Sequence, residues 1–126
     1  KIHLCGYTPR PPHRDINKTA LGATETVEWA GYEDGLTAVA QLKEQGYSVY
    51  TIEQVHNSIS LESFNYQSGE KIALVFGNEA DGVSEETIQL CNGAIEIPQF
   101  GSKHSFNISV SAGIVLWDVM SKINRR

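Results

Sequence analysis

Several things are scarce in this chain of 126 residues, and each scarcity removes a class of function. Only two cysteines are present, Cys5 and Cys91, far apart in apolar surroundings. That argues against a disulfide framework and leads us to expect buried, reduced thiols and a cytoplasmic setting. The four histidines, at positions 3, 13, 56 and 104, form no metal-spaced pair, so no metal site is expected. No apolar run approaches the roughly 18 residues that span a bilayer, and no basic stretch followed by an apolar one opens the chain. Missing too are a G-x-G-x-x-G turn after a strand, a Walker lysine and the G-x-S-x-G elbow of hydrolases.

What is present fits one soluble domain, residues 1–126, with 40% hydrophobic and 20% charged residues. Neither a repeat nor a linker divides it. The net charge of −5 is unevenly spread. Lys1, Arg10, His13, Arg14 and Lys18 crowd the start, and Lys122, Arg125 and Arg126 the end. Acidic residues gather between them. Basic patches on an acidic body, able to meet phosphate, are one reading, and plainly solvated termini are the other.

The apolar pattern alternates between two periods. Ile2 to Gly6 reads as a short strand, and Tyr7 to Asn17 as a loop because Pro9, Pro11 and Pro12 forbid regular structure. Asp34 to Gln45 has Leu36, Val39, Ala40 and Lys43 at helical spacing, with Gly46 as its stop. Tyr47 to Ile52 is a β-branched and aromatic strand. His56 to Gly69 is a connection with one turn around Leu61 to Phe64. Ile72 to Phe76 is apolar throughout, as a strand covered on both faces would be. Ser84 is placed to cap a helix whose first turn carries Glu85 and Glu86, and Ala94 to Ile97 forms another strand. A helical stripe runs from Ser105 to Lys122. The order predicts an α/β domain with a largely parallel sheet flanked by helices.

Two segments join an expected strand end to an expected helix start. Phe76-Gly77-Asn78-Glu79-Ala80-Asp81-Gly82-Val83-Ser84 is the first. Gly77 permits close backbone approach, Asn78 and Glu79 add an amide and a carboxylate, and Gly82 permits a turn. Ser105-Phe106-Asn107-Ile108-Ser109, with Gly101 ahead of it, is the second. It offers free amides and side-chain donors at a helix start. An ordinary turn and an ordinary helix cap would use similar residues.

Together these segments resemble the second and third motifs of the SpoU/TrmH branch of the SPOUT RNA methyltransferases. Leu74 to Glu79 with Gly82 and Ser84 is similar to the second. Ile97-Pro98, Ser105 to Ser109 and the small-residue helix at Ala112-Gly113 are similar to the third. The loop from Thr8-Pro9 through Lys18 to Ala23 also resembles a segment of this branch. The resemblance implies a SPOUT-type α/β domain with a deep C-terminal trefoil knot and S-adenosylmethionine as cofactor. It implies methyl transfer to a ribose 2′-hydroxyl of tRNA or rRNA by a homodimer. Residue by residue, it implies cofactor contacts at Thr51, Gly77, Asn78, Ile97, Ser105 and Phe106, where the family usually has leucine in place of Phe106. Glu79, Ser105 and Asn107 become the catalytic candidates, and Arg10, His13, Arg14, Lys103 and His104 the candidates for RNA phosphate. Trp117 is a candidate interface anchor or a core residue.

The chain departs from the family at its front. The family's first motif, with the arginine assigned to activating the ribose hydroxyl, has no counterpart, and the N-terminal part is expected to be absent. A non-catalytic SPOUT-like module that binds RNA or cofactor, and a small nucleotide-binding α/β domain, are the competing readings.

Overall fold

Four parallel strands with apolar residues on both faces make the body of the molecule. The computed structural model describes residues 1–67, 69–78, 81–101 and 107–124. Strand β1 (Ile2–Cys5) is followed by two short helices, α1 (Arg14–Ala20) and α2 (Ala23–Thr26), then β2 (Trp29–Tyr32). Next come α3 (Gly35–Glu44), β3 (Tyr47–Ile52), β4 (Ile59–Ser60) and a 3₁₀ turn at Leu61–Ser63. Strand β5 (Lys71–Val75), α4 (Glu85–Leu90), β6 (Gly93–Glu96) and the long helix α5 (Ile108–Asn124) complete the chain. Strands β1 and β2 pair in parallel as a two-stranded sheet, and the others form a parallel sheet ordered β4-β6-β3-β5.

Period-two alternation explains why this sheet takes helices on both sides. Tyr50 and Ile52 of β3, with Ile72, Leu74 and Phe76 of the β5 segment, pack toward a core of Leu61, Phe64, Tyr66, Ile95, Val115 and Val119. That core joins α5 and the 3₁₀ turn to one face. Tyr47 and Val49, with Ala73 and Val75, pack against Val39 and Leu42 of α3 and against Leu90 and Cys91 on the other face. Strand β5 is therefore covered on both faces, as its uniform apolarity suggests, while remaining an edge strand among the described residues.

The helix boundaries follow local chemistry. Asp34 caps α3 by accepting from the Thr37 amide at 2.7 Å, and these hydrogen bonds to Thr37 hold its carboxyl below the usual range. Ser84 caps α4 through the Thr87 amide, with Glu85 and Glu86 in the first turn. Lys43 of α3 reaches the Leu90 carbonyl at 2.8 Å, tying the two helices together.

Three expectations are corrected. The prolines keep residues 7 to 12 irregular, but α1 begins at Arg14, because the His13 ring accepts from the Asp15 amide and caps it. Short α2 completes too few turns to show a period, and β2 has no β-branched residue and a glycine at its third position. The last helix starts at Ile108 rather than Ser105, with Asn107 before its first turn. The two thiols are half-buried rather than fully buried. Burial pushes both up from the ordinary value, Cys5 further through Asp34 and against Arg10, Cys91 against Lys43.

Candidate functional site

In a parallel sheet all strands end on the same side, and ligands collect in the loops that leave there. Thr51 sits one residue before the end of β3, flanked in register by Val75 of β5 and Ala94 of β6. Its side chain is fully buried at 0% exposure, and Oγ1 has no hydrogen-bond partner among the described residues. A hydroxyl in that position normally costs stability unless something accepts from it or donates to it.

Beside it lies the glycine loop that follows β5. The Gly82 amide donates to the Asn78 carbonyl at 2.9 Å, and Asn78 Oδ1 accepts from the Asp81 amide at 2.7 Å. Asn78 and Gly82 form an antiparallel bridge, so the loop is closed upon itself. A Cβ at Gly77 would collide with the backbone of Gly82 and Val83, which is why only glycine fits there. Gly82 has φ +67, a conformation most side chains resist.

The third segment leaves β6 through half-buried Ile97, which packs against the core below α5. Asn107 then organises the start of α5. Its Oδ1 accepts from the Ser109 amide at 2.9 Å and from the Ser109 hydroxyl at 2.8 Å, while its carbonyl accepts from the Ser111 amide. Its Nδ2 has no acceptor among the described residues. Glu79, Ser105 and Phe106 lie outside the described residues, as do Lys103 and His104.

Of the remaining basic candidates, Arg10 lies over Gly31, leaving no room there for a Cβ, and donates from Nη2 to the Tyr32 carbonyl at 3.0 Å. It remains exposed at the end of β2. His13 is engaged in capping α1. Arg14 is exposed at the first position of that helix, where a cation gains nothing from the dipole.

Two contacts at the site escape any local reading. Tyr7, just after β1, accepts at its hydroxyl oxygen from Asn78 Nδ2 and thus ties the proline-rich loop to the glycine loop. Glu53, just after β3, accepts from the Val83 amide at 2.8 Å. An acidic residue directly after a strand was the only available signal for Glu53; Tyr7 carried none. A cavity of about 350 Å³ lies elsewhere, between β1, β2 and the α1–α2 segment, and is lined by residues such as Ile2, Leu4, Pro11, Ile16 and Trp29. Its apolar walls offer no polar group for chemistry.

The sequence model of the SpoU rRNA Methylase family matches residues 1–117. The chain belongs to that family. Among SpoU-family relatives, the tRNA (guanosine(18)-2′-O)-methyltransferase of Borreliella burgdorferi is 30% identical over 105 residues, covering 83% of this chain and 47% of that protein. The 23S rRNA (guanosine-2′-O-)-methyltransferase RlmB of Neisseria meningitidis is 36% identical over 103 residues, covering 80% of this chain and 39% of its own. The chain thus spans about half the length, or less, of the curated relatives it matches. In structure it resembles the AdoMet-bound rRNA methyltransferase of Sinorhizobium meliloti, with TM-score 0.83 and 22% identity over 92% of this chain and 43% of that one. The SpoU α/β fold is therefore shared, and the parallel sheet expected from the sequence is observed.

The observed donors fit the cofactor that the family implies. Thr51 Oγ1 is a buried hydroxyl without a partner among the described residues, and the glycine loop and half-buried Ile97 leave the same end of the sheet.

Proposed function

We propose that the chain forms the S-adenosylmethionine-binding and catalytic domain of an RNA 2′-O-methyltransferase acting on a ribose of tRNA or rRNA. The observation that carries this reading is that three features lie at one end of the parallel sheet: the orphaned Thr51 hydroxyl of β3, the closed glycine loop after β5 and Ile97 after β6. Family membership over residues 1–117 and the names of the relatives support it.

When bound, S-adenosylmethionine supplies a methyl group already activated on a sulfonium centre. The work left to the chain is to hold both partners and orient them. Backbone groups at Gly77, Asn78 and Ile97, with the Thr51 hydroxyl, hold the cofactor in this reading, and Ser105 and Phe106 border it. Asn107 Nδ2 is the donor that remains after capping, and it orients an acceptor oxygen of the substrate. Ser105 positions substrate and cofactor, and Glu79 orients a neighbouring basic group or loop. Holding the ribose oxygen in line contributes an effective molarity of about 10⁵ M or more. The 2′-hydroxyl must also lose a proton, whose pKa lies far above neutral. The arginine of the first motif has no match in this chain, and neither Arg10 nor Arg14 takes its role. Those two, with His13, Lys103 and His104, meet RNA phosphates, which position rather than specify.

The knot belongs to this proposal, as do a cytoplasmic setting and a homodimer. Support for the homodimer comes from α5: Val110, Ile114 and Trp117 recur at helical spacing and stand exposed, Trp117 by 77%, so the tryptophan is not core within this chain.

Calorimetric titration of the protein with S-adenosylhomocysteine, with AMP as control, tests the reading. Micromolar binding of the former and none of the latter is the expected result. Binding of AMP alone would transfer the case to a nucleotide-binding domain, and methyl transfer to RNA separates an enzyme from a binding module.

A further inference from the structure

The glycine loop closes on itself through Asn78 and Gly82, but self-closure does not decide where the loop stands relative to the sheet. One side chain does. Glu53 follows the last residue of β3, and its own amide donates to the Ile95 carbonyl at 3.1 Å, so its backbone is pinned to the end of β6. From that fixed base its Oε1 accepts from the Val83 amide at 2.8 Å, across 30 residues of sequence. The same oxygen lies where a Cβ on Gly82 would come within 2.7 Å. The loop's turn and the carboxylate therefore occupy adjoining space, and Gly82 itself holds φ +67, a conformation other residues resist.

Val83 lies just before the cap of α4. Ser84 is that helix's capping side chain, so the Val83 amide is not one of the donors it satisfies. Without Glu53 that amide would turn to water, and the loop would lose its attachment to β3. Among the described residues only this side chain bridges the end of β3 to the Gly82–Val83 corner.

We propose that Glu53 is a positioning residue for cofactor binding. It holds the glycine loop against the end of β3, so that the loop's backbone and the Thr51 hydroxyl, two residues earlier on the same strand, face one ligand together. This rests on the reading of the loop as the S-adenosylmethionine site. Glu53 acts through the loop backbone, and the property it needs is an acceptor at Oε1, not a negative charge.

Glu53→Ala and Glu53→Gln, prepared in the protein and studied well below their unfolding temperatures, test this. The readouts are S-adenosylhomocysteine affinity by calorimetry and exchange of the Val83 amide by NMR. Expected are a loss of affinity of about tenfold or more in the alanine variant, with faster exchange at Val83. The glutamine variant retains an oxygen acceptor and should restore affinity to within about threefold and slow the exchange again. In the methyl-transfer assay the alanine variant should raise KM for S-adenosylmethionine and leave KM for RNA unchanged. Equal affinity in the alanine and wild-type proteins would overturn the proposal while sparing the cofactor reading, and so would a glutamine variant as weak as alanine. A wild-type protein that ignores S-adenosylhomocysteine would overturn the cofactor reading and this assignment with it.

Discussion

Asn107 Oδ1 already accepts from the amide and the hydroxyl of Ser109, so this residue starts α5, and the function we propose gives it a second role in orienting substrate. The two roles separate by substitution. Asn107→Ala should cost about 1 kcal/mol of stability through the lost cap and cut methyl transfer roughly tenfold or more. Asn107→Asp keeps Oδ1 and the cap but loses the amide donor. Its thermal unfolding should match wild type while transfer falls as in the alanine variant. Full single-turnover activity in the aspartate variant would remove Asn107 from the site. The sequence singled out Asn107 through its Ser-x-Asn-x-Ser setting and left an ordinary helix cap open as the alternative, but which residue caps depends on where the helix starts. The thiols make a second residue-scale test. Burial raises Cys5 and Cys91 alike, so less thiolate exists near neutral pH and both should react with a disulfide reagent more slowly than free cysteine. Unfolding in urea should erase the difference, and fast labelling of the native protein would contradict the half-buried placement.

At the scale of elements, the glycine loop and the α5 anchor bear measurable loads. Gly82→Ala puts a side chain at φ +67 and against Glu53, which should destabilise the protein by about 1–2 kcal/mol. It should also weaken S-adenosylhomocysteine binding. Unaltered binding would show that the loop's turn does not shape the pocket. Lys122 presents a different case. Its ammonium donates to the Leu61 and Phe64 carbonyls at 2.6 and 2.7 Å and pairs with Asp118 at 2.6 Å, in a site where its side chain is 17% exposed. Those bonds clamp α5 onto the 3₁₀ turn over the larger core. Lys122→Met keeps the apolar stem and leaves two carbonyls and a carboxylate unanswered, for a loss of about 2–4 kcal/mol in urea unfolding. A loss below about 0.5 kcal/mol would mean that water replaces the ammonium at no cost. The sequence showed Lys122 only as one of several basic residues near the chain's end. Its carbonyl partners lie some sixty positions earlier, beyond any local pattern.

For the whole molecule, the question is what covers α5. One stripe of the helix, with Val115 and Val119, is buried in the core, while Val110, Leu116, Trp117 and Met120 are exposed. A second copy of the chain is the partner we propose. Trp117→Glu should then weaken the dimer by at least about 2 kcal/mol, roughly thirtyfold in Kd, with little effect on the monomer's fold. Sedimentation velocity across a dilution series reads this directly. A wild-type protein that stays monomeric at high concentration would sink the dimer, and with it any site shared between subunits.

Hydrophobic period and punctuation are local properties, and they determined much by themselves. From them came the α/β class, the bounds of β3, the cap at Ser84, and the two segments that bear the motif resemblance. Short helices α1 and α2 stayed hidden, because four to seven residues complete too few turns to register, and β2 stayed hidden because Trp29-Ala30-Gly31-Tyr32 has no β-branched residue and carries a glycine inside the strand. Only the tertiary structure decided the strand order β4-β6-β3-β5, since apolar strands of similar pattern can pair in more than one sequence. That order is what sets Thr51 between Val75 and Ala94 with its hydroxyl unanswered, and what brings Glu53 to the Val83 amide. The side chains that can do the chemistry are written in the chain; which of them meet depends on pairings between distant strands, whose stability comes from a core that exists only after folding.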